Sequence, residues 1–77
     1  MKTIKQRIIE FLTYEYYYQQ STKILLNMSK KELAERLGVQ RPSLSRELNK
    51  MREDGLITYD AKSITIKNLN ILELANE

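Results

Sequence analysis

Residues 29–54 read SKKELAERLGVQRPSLSRELNKMRED, and this stretch decides the fold. Ser29 followed three residues later by Glu32 is a capping-box pattern, in which hydroxyl and carboxylate satisfy each other's backbone N–H at a helix start. The short helix it opens has Leu33, Ala34 and Leu37 at inward positions. Gly38 follows where a helix commonly stops in the left-handed conformation. Val39, Gln40 and Arg41 form the turn. Pro42 suits the first turn of a second helix, where its missing N–H costs nothing. Pro42 also biases Arg41 away from helical dihedrals, so this helix starts at or just after Arg41. Leu44, Leu48 and Met51 make one narrow apolar stripe through residue 54, and Gly55 ends it. Two short helices joined by a Gly-containing turn are a helix-turn-helix unit. Ala34 is small where the helices must approach, and Leu44 points back into the angle between them.

Outward from this unit, Leu56–Tyr59, the loop Asp60–Ser63 and Ile64–Lys67 read as strand, tight loop, strand. Residues 3–20 read as a helix, with Ile4, Ile8, Phe11/Leu12 and Glu15/Tyr16 at helical spacing and Thr3 and Gln6 as a capping box. Its end carries Tyr14, Tyr16, Tyr17 and Tyr18 on several faces, and Gln19–Thr22 reads as a loop. Lys23–Met28 is a short strand or extended segment, and Asn70–Glu73 starts a last short helix. The fold class is therefore mainly α with a small β-hairpin, a winged helix-turn-helix. It is expected as one domain over residues 1–77, with the helix-turn-helix at 29–54 and the wing at 56–67.

Composition narrows the function. The chain has neither Cys nor His, so it lacks a thiolate nucleophile, a disulfide and the commonest neutral-pH general base and metal ligand. The expectation is a non-enzyme with no cofactor in this domain. No apolar run approaches a membrane span, and Met1–Lys5 leads into no signal-peptide core, so a cytoplasmic protein without membrane contact is expected. The net charge of +3 permits a polyanionic partner, and placement of the cations then decides.

That placement is informative. Opposite the apolar stripe of the second helix stand Pro42, Arg46, Asn49 and Glu53, flanked by Ser43, Ser45 and Lys50. Arg suits a bidentate bond to guanine O6 and N7, while Asn49, Ser43 and Ser45 can bond to bases or phosphates. Lys30 and Lys31 begin the preceding helix, which in this motif crosses the DNA backbone. There, with Ser29, backbone N–H and ammonium groups can meet a phosphate together. Lys62 sits at the wing tip, within reach of a flanking phosphate. The expected base contacts are Arg41, Pro42, Ser43, Ser45, Arg46 and Asn49, and the expected phosphate contacts are Ser29, Lys30, Lys31, Lys50 and Lys62. The expected partner is double-stranded DNA, with the helix over 41–54 in the major groove.

The stretch from Met28 to Lys67 resembles the C-terminal domain of the Crp/Fnr family of bacterial transcription regulators. The family's motif, Ser/Thr-Arg-x-Glu-Leu-Ala, Leu-Gly-Val, Ser-Arg-x-Leu and Gly-Leu-Ile, runs through it with Lys30 in place of the first Arg. The first helix matches more loosely. The family's recognition helix often carries Arg-Glu-x-x-x-Arg or Glu-x-x-Ser-Arg, and Arg41, Ser45 and Arg46 match those positions. Pro42 stands in place of the Glu and offers no side-chain acceptor, only apolar contact, for example to a thymine methyl. Gln40 stands in place of the usual Ser/Thr cap. Full-length members carry a cyclic-nucleotide-binding-like sensor and a long dimerisation helix. The resemblance therefore implies an excised domain or truncated protein whose full-length form is a homodimer that works with RNA polymerase. The sensor's effector is not carried over.

The competing reading is a winged helix used as a protein–protein interaction module, with Tyr14–Tyr18 as the contact surface, since fold alone does not settle function. An enzyme is disfavoured by the missing Cys and His.

Overall fold

Both capping boxes form. In the computed structural model, which describes residues 2–76, the Thr3 hydroxyl accepts from the Gln6 N–H at 3.1 Å and the Gln6 side chain accepts from the Thr3 N–H at 2.9 Å. They start α1, Ile4–Gln19, which ends at Gln20 in the left-handed region (φ 52°). Ser29 and Glu32 repeat the arrangement at the start of α2, Lys30–Leu37. Met1 and Glu77, counted in the expected domain, lie outside the described residues.

Gly38 (φ 72°) closes α2 with paired bonds: its N–H donates to Glu35 O at 3.1 Å and the Val39 N–H to Ala34 O at 2.9 Å. This is a Schellman ending, which satisfies carbonyls the helix leaves open. The Leu37 carbonyl is taken by Arg7 of α1, whose Nη1 donates to it at 2.9 Å. The second helix of the unit, α3, spans Arg41–Glu53, with Pro42 in its first turn and no side-chain cap from Gln40. Arg41 thus belongs to the helix rather than to the turn, and Asp54 caps the end.

Leu44, Leu48 and Met51 are fully buried, as their stripe requires. They join Ile8, Ile9 and Leu12 of α1 and Leu33 and Ala34 of α2 in one core. A buried leucine in such a core is worth about 2–5 kcal/mol against alanine.

The sheet contains the expected hairpin and adds a third strand to it. It has three antiparallel strands, β1 (Lys23–Leu25), β2 (Ile57–Tyr59) and β3 (Ser63–Ile66), in the order β1-β3-β2. Of the segment Lys23–Met28, read as strand or extended, Lys23–Leu25 is a strand, and it pairs Ile24 with Ile64 while β2 pairs Thr58 with Thr65. Burial is the reason: Ile24, Ile57, Ile64 and Ile66 all enter the core, and β3 needs a partner on each side. Ser63 lies in β3 rather than in the loop, and Leu56 and Lys67 fall just outside the strands. Gln19 also departs from the expected loop. It is the last residue of α1, and its amide brackets Leu25, accepting from the N–H at 2.9 Å and donating to the carbonyl at 3.1 Å. The Ser21 hydroxyl accepts from the Lys23 N–H at 3.1 Å. A 3₁₀-helix, Leu69–Asn76, follows and buries Ile71.

Gly38 generates the first prediction. A Cβ there would stand 3.1 Å from Arg7 Nη1, on a backbone that L residues rarely adopt. Gly38→Ala is expected to cost about 1–3 kcal/mol of stability. Urea unfolding followed by circular dichroism measures this, and an unchanged midpoint would refute the role given to the turn.

Candidate nucleic-acid interface

Helix α3 presents its polar side to solvent. Arg41, Pro42, Ser45, Arg46 and Lys50 are exposed, and Ser43 and Asn49 are half-buried. Arg46 is lightly committed: its Nη2 stands 3.5 Å from the Ser43 hydroxyl, at the outer limit of a hydrogen bond. Its guanidinium fork is thus open to a planar partner. Glu53, also exposed, puts one acidic group at the far end of the face.

The expected phosphate contacts divide. Lys31, Lys50 and Lys62 are exposed, with Lys62 at the hairpin tip. The Ser29 hydroxyl is occupied by its cap, accepting from the Glu32 N–H at 3.1 Å and donating to the Glu32 carboxylate at 3.2 Å. Lys30 turns to the hairpin, where Nζ donates to the Asp60 carbonyl at 2.7 Å and lies 5.6 Å from the centroid of the Tyr59 ring. Burial lowers the pKa of this ammonium from the ordinary lysine value, and the attraction of Asp60 opposes that in part. The structure therefore gives Lys30 a partner within the chain and leaves Lys31 as the open cation at this helix start.

Tyr59 was missed by sequence reasoning. Its hydroxyl donates to Asn49 Oδ1 across the gap between wing and α3. Arg52, one turn after Asn49, donates to the same oxygen at 2.9 Å, and its guanidinium carbon stands 5.0 Å from the Tyr59 ring centroid. With Lys30, the ring touches α2, α3 and the wing. Strand alternation could have found it, since Ile57 is buried and period two puts Tyr59 on the same face. Arg7 carried no such signal, because its partner lies 30 residues away.

Asp60 organises the wing turn. Its Oδ1 accepts from the Lys62 N–H and the Ser63 N–H, both at 2.8 Å, and from the Ser63 hydroxyl at 3.1 Å. Among the described residues, no group of three or more acidic, Cys or His side chains is placed to hold a metal, and no helix is long and apolar enough to cross a membrane.

Residues 6–75 match the family model of the Crp-like helix-turn-helix domain. Solved structures agree in fold. The CO-dependent transcription factor CooA from Carboxydothermus hydrogenoformans superposes with a TM-score of 0.83 at 24% identity, covering 95% of this chain and 36% of that one. FixK2 from Bradyrhizobium japonicum gives 0.80 at 23% identity, covering 96% of this chain and 38% of that one. The chain thus spans little more than a third of the length of these similar proteins. No curated protein matches it by sequence.

The Asp60 turn has a pH signature. Hydrogen bonds from the Lys62 N–H and then the Ser63 hydroxyl hold its carboxyl below the ordinary aspartate value, against some desolvation. A depressed folded pKa means that the contribution is complete above the unfolded value and lost as pH falls through the folded one. In NMR titrations, the Lys62 and Ser63 amides are expected to shift with a midpoint below that of an unstructured aspartate. Asp60→Ala should abolish this titration and speed exchange of both amides. A midpoint at or above the ordinary value would refute the turn's hold on the carboxylate.

Proposed function

The chain belongs to the family of Crp-like helix-turn-helix domains, and on that basis we propose that it binds double-stranded DNA sequence-specifically and regulates transcription, with α3 entering the major groove. The observation that carries this reading is the exposed, polar side of α3 with the lightly committed Arg46 guanidinium on it. Arg46 reads a guanine through O6 and N7, and Arg41, Ser43 and Ser45 supply further contacts to bases. Lys31, Lys50 and Lys62 meet phosphates and set the register. Ser29 contributes through the helix start it caps, and Lys30 joins the phosphate set only by releasing Asp60.

One copy offers few contacts. In a longer regulator the chain acts as one arm of a homodimer on two half-sites about one helical turn apart, in contact with RNA polymerase. A second reading is supported by the end of α1, where Tyr14, Tyr17 and Tyr18 are exposed, Tyr18 by 76%. Tyr14 and Tyr18 stack at 6.2 Å, and half-buried Tyr16 packs against the core. This surface suits a protein contact. It lies on a different helix from the DNA face, so the two roles are compatible.

Selection of bound sites from random duplexes, with affinity measured against salt, tests the proposal. Affinity should fall steeply as salt rises, and Lys31→Ala should reduce the slope by about one. Arg46→Ala should cost about 1–3 kcal/mol on the selected site and relax preference at one base pair. A flat salt dependence, or a loss from Arg46→Ala equal on every sequence, would count against this assignment.

Pro42 gives a sharper expectation. The base pair beneath it should be read loosely or with a mild leaning to thymine. Pro42→Glu should shift that position toward cytosine, whose N4 amine can donate to the carboxylate, and leave the Arg46-dependent position unchanged. A strict cytosine beneath residue 42 before mutation would show that Pro42 does not face the bases.

A further inference from the structure

Asn49 stands on the outward side of α3, and the structure treats its two amide atoms differently. Its Oδ1 accepts from Arg52 Nη2 at 2.9 Å and also from the Tyr59 hydroxyl. An amide carbonyl has two lone pairs, so this oxygen is fully used. The orientation of the amide is fixed by chemistry, because a guanidinium has donors only and must meet the oxygen. No buried side-chain nitrogen or oxygen among the described residues lacks a partner. Nδ2 of half-buried Asn49 donates to no protein group among those residues, so it must reach solvent. Tyr59 is half-buried, with Lys30 at 5.6 Å and the exposed Arg52 at 5.0 Å from its ring centroid.

We infer that Tyr59 and Arg52 make Asn49 a donor-only contact, so that it offers its NH₂ to a hydrogen-bond acceptor of the duplex and withholds its carbonyl. This rests on the DNA-binding reading and deepens it. The acceptor is a base edge, such as guanine N7 and O6 or thymine O4, or a phosphate oxygen. Excluded is the pairing that Asn otherwise makes best, with adenine, because it needs the carbonyl for N6–H₂ and the amine for N7 together. Tyr59 and Arg52 are positioning residues. They act on sequence choice through Asn49, without having to touch DNA themselves.

The experiment selects bound sites from random duplexes at low salt with four proteins: the unaltered chain, Asn49→Ala, Tyr59→Phe and Arg52→Met. Asn49→Ala identifies the position that Asn49 reads, as the one whose preference relaxes. In the unaltered chain that position should favour guanine or thymine. Tyr59→Phe keeps the ring and frees one lone pair, so adenine there should rise by at least about fivefold. Arg52→Met frees the other lone pair and gives the same readout should Tyr59→Phe fail to fold, which thermal melting detects. A loss from Asn49→Ala that is equal on all sequences assigns the acceptor to a phosphate and keeps Asn49 donor-only. Strict adenine in the unaltered chain overturns the inference. So does an Asn49→Ala variant with unchanged affinity and preference, or a base preference that neither Tyr59→Phe nor Arg52→Met moves toward adenine. These results leave DNA binding itself standing, whereas an unaltered chain that binds no duplex even at low salt removes that reading and this inference with it.

Discussion

The end of α2 holds the arrangement together. Gly38 adopts a conformation that a side chain would strain, and the turn it makes sends the chain from α2 into α3 within three residues. Arg7 reaches from α1 to the last carbonyl of α2, its Nη1 3.1 Å from where a Cβ of residue 38 would sit. The missing side chain therefore does two things at once: it permits the turn and admits the guanidinium that ties the first helix to the unit. The angle between α2 and α3, and so the direction in which Arg46 points, depends on both.

The wing is coupled to the same frame by polar groups as well as by its buried isoleucines. Lys30 bonds to the Asp60 carbonyl, Tyr59 bonds to Asn49, and Asp60 gathers the amides of its own turn. These bonds sit at the margin of the core, where each group still borders water. Net gains there are modest, so their weight lies in fixing direction rather than in stability. The hairpin that follows α3 thereby determines which atoms α3 can present.

The helix-turn-helix unit was legible because its punctuation is local. A hydroxyl and a carboxylate three residues apart, a glycine after an apolar periodicity and a proline in a first turn each act on their immediate neighbours, so Ser29, Glu32, Gly38 and Pro42 could be read directly. The outward face of α3 followed from helical period alone. The third strand was less legible, since three residues carry little pattern and its partner lies some 40 residues further on. The partners that side chains find across elements were not legible locally. Lys30 looks like a free cation until Asp60 is folded beside it, 30 residues away, and Asn49 looks like a two-sided reader until Tyr59 closes over its oxygen.

The bracket that Gln19 places around Leu25 has a consequence for how copies of this chain meet. Strand β1 is an edge strand, and the Leu26 N–H and Thr22 C=O that flank it bond inward, to the Lys62 carbonyl and the Ile66 N–H. By alternation, the groups of Lys23 and Leu25 face outward. Three of these four are capped, two by the Gln19 amide and one by the Ser21 hydroxyl. An open edge is a template for aggregation and domain swapping. Here an amide side chain imitates the next strand along, so pairing with a further strand along this border is disfavoured even though the Leu25 side chain beside it is 59% exposed.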